Sequence, residues 1–187
     1  MRFDGQIRFA QAADIEHLPA IERAAAQLYR PYLSQLGLTS DQLQDIVPVE
    51  FLHQAQQQRR LWVAVTPQTQ VVGFVVVNRL TTGWFVIELD VLPSWKQQGI
   101  GSALMQQVIQ SAHTQGYVAV TLTTFRYVPW TIPFYRRLGF EIVVPAHYTP
   151  DIRAIVDHEE RHGFSRHVRV VMQCQIPKQL ITPFVAN

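Results

Sequence analysis

Residues 89–104, Leu-Asp-Val-Leu-Pro-Ser-Trp-Lys-Gln-Gln-Gly-Ile-Gly-Ser-Ala-Leu, decide the fold. They read as the end of a buried strand, a break at Pro93, and two glycines two apart opening a helix. That helix carries Ile100, Leu104, Val108 and Ala112 on one stripe. A helix N-terminus presents free N–H groups and the positive end of a dipole, so such a turn is an anion site. Gly99 and Gly101 lack Cβ atoms, which lets the amides of 97–102 close around a pyrophosphate. A helix start with glycines for tight packing would look the same. The dinucleotide fingerprint G-x-G-x-x-G fails at Leu104, and no G-x-x-x-x-G-K-[ST] string exists.

Working outward, WFVIELDVL (84–92) is a strand that is apolar on both faces except for Glu88 and Asp90. Before it, LWVAV (61–65) and VVGFVVVNRL (71–80) form a hairpin around TPQTQ. Earlier still, a short strand at 7–9 leads to Asp14, which offers an N-cap to a helix carrying Ile15, Leu18, Ile21, Ala25 and Leu28. Pro19 kinks that helix or resets its start. A second helix is expected from Ser40 or Asp41 to about Gln57. Beyond the glycine turn come a strand at 117–125, a short helix in VPWTIPFYRRLGF, a strand at 140–144, a helix at 150–162 and a last strand at 168–176. The pattern is α/β, a mixed central sheet with helices on both faces, in one domain over 1–187.

Composition limits the function classes. The chain has 187 residues, 48% of them hydrophobic and 16% charged, which marks a folded domain with a real core. A net charge of +2 is too small for a nucleic-acid binder. No run of about 18 apolar residues is present, so no membrane helix is expected. Acids in MRFDGQIRFAQAADIEH stand where a signal peptide needs an apolar segment, so a cytoplasmic protein is expected. The single cysteine, Cys174, shares a strand face with Val168, Val170, Met172 and Ile176, as a small buried hydrophobe does.

Two segments together resemble the GNAT superfamily of N-acetyltransferases. Lys96-Gln97-Gln98-Gly99-Ile100-Gly101 is similar to the signature [R/Q]-x-x-G-x-[G/A], with Lys96 in place of Arg or Gln. PWTIPFYRRLGF (129–140) resembles the later A-x-x-[F/L]-Y-x-x-x-G-F element. TLTTFRYVPWTIPFYRRLGF also looks like a bacterial branch whose members generally lack assigned acceptors. The resemblance implies about seven strands and acetyl-CoA as co-substrate. It implies a preceding strand splayed from its neighbour, whose Leu89, Asp90 and Val91 backbone groups hold the pantetheine arm. Lys96, Gln97, Gln98, Gly99, Ile100, Gly101 and Ser102 would then surround the pyrophosphate. Tyr135 would protonate the departing thiolate, a transfer that suits a phenol near 10 and a thiol near 8.5. Thr131, four residues before Tyr135, is a weaker cofactor contact.

An acceptor ammonium must lose a proton before it attacks a thioester, and Glu88 is the candidate base. A structural carboxylate anchored by an Arg or an amide accounts for it equally well. Asp90 shares its face, and Glu22 on the first helix is a further acidic candidate. The amide of Leu89 or Val91 is the expected oxyanion donor. Tyr29, Tyr32 and Trp130 could border an acceptor pocket or simply pack. His158-Glu159-Glu160-Arg161-His162 reads H-E-x-x-H, but no third ligand or zincin context accompanies it, and a solvated helix face explains it. No metal is expected. The reading is transfer of an acetyl group from acetyl-CoA to a primary amine by direct attack. A small-molecule acceptor is preferred over a protein N-terminus, and a homodimer is an ordinary expectation. The rivals are a catalytically silent acyl-CoA sensor and a zinc hydrolase built on DHEERH.

Overall fold

The computed structural model describes residues 3–177. The outermost residues of the domain expected over 1–187 lie outside the described residues. Seven strands form one sheet in the order β1-β2-β3-β4-β5-β7-β6: β1 Gln6–Phe9, β2 Leu61–Val65, β3 Val71–Arg79, β4 Gly83–Val91, β5 Ala119–Phe125, β6 Glu141–Val143 and β7 Arg169–Gln175. All pairs are antiparallel except β4 with β5. Among the described residues the α-helices are α1 Leu18–Ala26, α2 Leu33–Leu36, α3 Val49–Gln57, α4 Ile100–Thr114, α5 Thr131–Arg136 and α6 Pro150–Arg161. The expected mixed α/β sheet is therefore the fold.

Two cores sandwich the sheet. On one face Ile100, Leu104, Met105 and Val108 of α4 pack on Val75, Val77, Trp84, Val86, Val120, Leu122 and Met172. On the other, Ile15, Leu18, Ile21, Leu52 and Ala55 cover Leu61, Val63, Phe74 and Val76. Cys174 is buried in the first core.

The chain departs from the sequence reading in its first third. Asp14 does not cap α1. It is the third residue of a 3-10 turn over Ala12–His17, accepts the Gln11 amide at 2.6 Å and pairs with Arg8. Pro19 resets the helix start, so α1 begins at Leu18. The long helix expected from Ser40 or Asp41 is two pieces, a 3-10 turn over Asp41–Gln44 and then α3. Pro48 causes the break: it holds the residue before it away from the helical region and itself caps α3. Strand β5 starts at Ala119 rather than 117, because the Tyr117 amide bonds back to the Ala112 carbonyl and closes α4.

Candidate active site

Strand β4 builds the site through one irregularity. Opposite β3, Val76 pairs with Glu88 but Val77 pairs with Val86, so Ile87 is an extra, bulged residue. A one-residue slip reverses the faces of everything beyond it. Trp84 and Val86 point into the core under α4, and after the bulge Leu89 and Val91 do so instead. Glu88 and Asp90 are thereby turned to the α1 face, opposite Val76 and Phe74.

The same segment parts from β5. The parallel ladder runs only from Gly83↔Ala119 to Val86↔Leu122, while β5 continues to Phe125 against β7. Beyond Val86 a wedge opens between two strands that are paired on their outer sides. The Leu92 amide donates to Val72 on β3 at 2.9 Å, so by antiparallel alternation the amides and carbonyls of Leu89 and Val91 face the wedge. The peptide groups of Asp90 face β3. The Leu89 amide is taken by its own neighbour, donating to Glu88 Oε1 at 3.2 Å.

Immediately after β4, the chain turns through Pro93–Trp95 and enters α4. Gln97 and Gly99 both adopt left-handed backbone, with φ of +62° and +85°. Alternation of this kind turns successive amides toward one concavity. The first bond of α4 runs from the Ala103 amide to the Gly99 carbonyl at 2.9 Å. Hence the amides of Ile100, Gly101 and Ser102 have no partner inside the helix, and no side chain caps them. A Cβ on Gly101 would stand 3.3 Å from the Phe134 ring, so α4 approaches α5 closely there, while the space around Gly99 is open. Lys96 is exposed beside the turn. This cradle suits a phosphate group.

On the α1 face, carboxylate oxygens of Glu22, Glu88 and Asp90 lie within 4.8 Å of one another. Glu22 is 7% exposed and accepts the Val47 amide at 2.9 Å and 3.1 Å. Burial, and then the charge of Glu88, push it up to about 8. Burial, then Glu88 and Glu22, hold Asp90 well above the usual carboxylate range. Burial also raises Glu88, but the Leu89 amide and Arg169 oppose the rise. Like charges this close cannot all ionise, so the three titrate as one unit. Glu88 and Glu22 each keep an amide donor and an arginine, Arg169 and Arg23 respectively, that favour the anion.

Tyr135 stands on α5, whose end is closed by the Phe140 amide donating to the Tyr135 carbonyl at 3.1 Å and by left-handed Gly139. Its ring packs edge-on against Phe134 and Phe140. Burial pushes the phenol upward, the neighbouring Tyr29, Glu88 and Asp90 push further, and Arg169 pulls back. Tyr135 therefore keeps its proton through the neutral range. Thr131 is turned inward at 4% exposure, and its hydroxyl donates within the loop, to the Phe125 carbonyl at 2.6 Å with Val128 at 3.1 Å. That bonding commits its one proton within the loop.

The aromatic residues gather at the wedge's mouth. Tyr29 lies 5.2 Å from Phe125 and 6.1 Å from Trp130, and Tyr32 lies 5.4 Å from Trp130, ring centre to ring centre. Trp130 remains 40% exposed. Sequence reasoning missed Arg169, which bonds Thr123 at 2.6 Å and Glu159 at 2.9 Å and lies 4.7 Å from the Phe125 ring. The residues are 46 and 10 positions apart, so no local pattern joins them. The same pair answers the H-E-x-x-H string. Glu159 is spent on Arg169 and Thr123, and His162 Nδ1 lies 2.8 Å from the His158 carbonyl.

A sequence model of the acetyltransferase (GNAT) family matches residues 23–140, well over half of the chain. The protein belongs to the GNAT acetyltransferase family. In fold it is similar to the PaiA N-acetyltransferase of Thermoplasma acidophilum solved with coenzyme A (TM-score 0.71, 14% identity, covering 92% of this chain and 99% of that one). It is also similar to the ribosomal-protein-S18-alanine N-acetyltransferase of Escherichia coli (TM-score 0.63, 16% identity, 92% and 94%). Against N-acetylglutamate synthase of Neisseria gonorrhoeae, complexed with coenzyme A and N-acetyl-glutamate, the TM-score is 0.68 at 16% identity. That match covers 95% of this chain and 36% of the longer one. Among the described residues no helix is long and apolar enough to cross a membrane.

Proposed function

We propose that the protein transfers an acetyl group from acetyl-CoA to the primary amine of a small molecule by direct attack. The observation that carries this reading is the wedge after Val86 and Leu122, with a pyrophosphate cradle at one end and a proton-sharing carboxylate cluster on the α1 face. Family membership and fold neighbours solved with coenzyme A support the donor.

In this reading the amides of 100–102, with those of the left-handed turn, hold the pyrophosphate, and Lys96 adds a positive charge. The wedge-facing backbone of Leu89 and Val91 binds the pantetheine arm, and Asp90 lends its side chain to the cluster instead. The acceptor enters between Tyr29, Phe125 and Trp130. Glu88 accepts a proton from the ammonium, directly or through a water, and the free amine attacks the thioester carbonyl. The C–N bond forms, the developing oxyanion takes the Leu89 or Val91 amide, and the C–S bond breaks. Tyr135 gives its proton to the leaving thiolate and recovers one as the amine nitrogen sheds its second. No cysteine stands in the wedge for an acyl-enzyme route, since Cys174 pairs with Val120, where β4 and β5 are still joined.

Calorimetric titration of the purified protein with acetyl-CoA tests the donor site, and coenzyme A release across an amine panel tests turnover. Micromolar binding with turnover is expected. Absence of binding overturns the reading, and binding without turnover on any amine moves it to the acyl-CoA sensor.

A further inference from the structure

A second cavity, of about 730 Å³, lies outside the wedge, between α6 and the β6–β7 edge of the sheet. That volume is in the range of small-ligand sites. Its floor is apolar, from Ile142, Val143 and Val170, but its rim carries four arginines, Arg126, Arg153, Arg166 and Arg169. The charges are unequally compensated. Arg166 is paired with Asp157 and Glu160, and Arg169 with Glu159. Arg126 and Arg153 have no ion pair among the described residues. Among the described residues the guanidinium of Arg153 makes a single bond, Nε to the Tyr148 carbonyl at 3.2 Å, and that of Arg126 makes none. Both are exposed, so their fork geometry is free for an incoming oxyanion.

One side chain stands between the cavity and the wedge. Arg169 lines the cavity, and its guanidinium lies over Phe125, the ring that touches Tyr29 at the wedge's mouth. A ligand with its ammonium at the carboxylate cluster and its far end beyond Arg169 would meet an arginine-lined end, fit for an anion.

We propose that the acceptor is an amine carrying a carboxylate or phosphate group, and that Arg126 and Arg153 in this cavity bind that group. The inference rests on the acyltransferase reading, which places the ammonium at Glu88. Its function is selection: an anionic end fixes which amine is presented, while polycationic amines are repelled from the arginine rim.

The test uses the full chain saturated with coenzyme A, so that the pyrophosphate cradle is filled. Inorganic phosphate and acetate are titrated in separate arms, following amide shifts by NMR. Shifts confined to residues around Arg126, Arg153 and Arg169 are expected, and the stronger arm identifies the anion. Arg126→Glu and Arg153→Glu, both at exposed positions, should each weaken that binding at least tenfold with an unchanged thermal midpoint. In the coenzyme A release assay the same variants should raise KM at least tenfold for amines bearing the preferred anion, with kcat retained. Shifts absent from the cavity in both arms overturn the inference, as does a KM that ignores both charge reversals. Failure of coenzyme A to bind is a separate result that removes the acyltransferase reading, and the anion titration then reports on the cavity alone.

Discussion

The Leu89 amide donates to the carboxylate of Glu88 at 3.2 Å, so the candidate oxyanion donor and the candidate base occupy each other. Substrate entry must separate them, freeing the amide for the thioester oxygen and the carboxylate for the ammonium. Glu88→Gln preserves an acceptor for the amide and removes the base. We expect kcat to fall by about 10²–10⁴-fold, with acetyl-CoA affinity and thermal midpoint nearly unchanged. A variant that turns over at the parental rate assigns Glu88 to structure alone.

Glu22 makes stability depend on pH in a direction opposite to that of a salt-bridged carboxylate. Its folded value, pushed to about 8, lies above the ordinary 4.5, so the folded chain holds a proton that the unfolded chain has lost. Stability from this group is complete below about 4.5 and is lost as pH rises through about 8. Glu22→Gln, which cannot ionise, should flatten the decline between pH 5 and 8 by up to about 1.4 kcal/mol per pH unit for one proton. Urea unfolding at four pH values measures it, and parallel curves for the two proteins would refute the shift.

The pH profile of turnover separates Tyr135 from the carboxylates. Because burial and its anionic neighbours hold the phenol above its usual range, no falling limb from Tyr135 is expected below about pH 10. Tyr135→Phe should lower kcat by about 10²-fold and leave acetyl-CoA affinity in place. The rising limb assigned to the carboxylate cluster should persist in the variant. Loss of that limb would place Tyr135, rather than Glu88, in control of the acceptor proton.

The H-E-x-x-H string should be inert toward zinc. His158 and His162 are neighbours with ring centres 4.1 Å apart, but Glu159 faces Arg169 and Thr123 rather than a metal-bound water. The double variant His158→Ala, His162→Ala should keep the parental turnover, and micromolar zinc should leave the parental thermal midpoint unchanged. A zinc-dependent rise that the double variant abolishes would reinstate the metal reading.

What could be read in advance depended on whether the cause was local. The glycine turn and the α5 cap announce themselves within six residues, because each needs a particular backbone at a particular place. Glu88 and Asp90 were visible as carboxylates in an apolar strand. Strict alternation, however, puts Glu88 on the same face as Trp84 and Val86, inside the α4 core. The bulge at Ile87 prevents this, and nothing in WFVIELDVL marks a bulge, since Ile is an ordinary strand residue. Glu22 had a signal, a carboxylate on the stripe of Leu18, Ile21 and Ala25. Its convergence with β4 is tertiary. The break before α3 was legible at Pro48, which outweighs the helical spacing around it.

The cradle gives the most direct test of the donor site, and Gly99 is the position to change. At φ +85° a β-branched residue is strongly disfavoured, so Gly99→Val must pull the turn toward negative φ and rotate the amides away from their common point. The space around Gly99 is open, so the substitution meets no neighbour and the sheet beneath is undisturbed. Gly101→Trp also targets the cradle, but its side chain starts 3.3 Å from Phe134 and would strain α5 and Tyr135 with it. Gly99→Val should therefore weaken acetyl-CoA binding at least tenfold, about 1.4 kcal/mol, while the far-ultraviolet circular dichroism stays parental. Titration calorimetry on the two proteins reads the difference. Equal affinities would mean that the turn's amides do not hold the pyrophosphate, and the donor site would have to be sought elsewhere along the wedge.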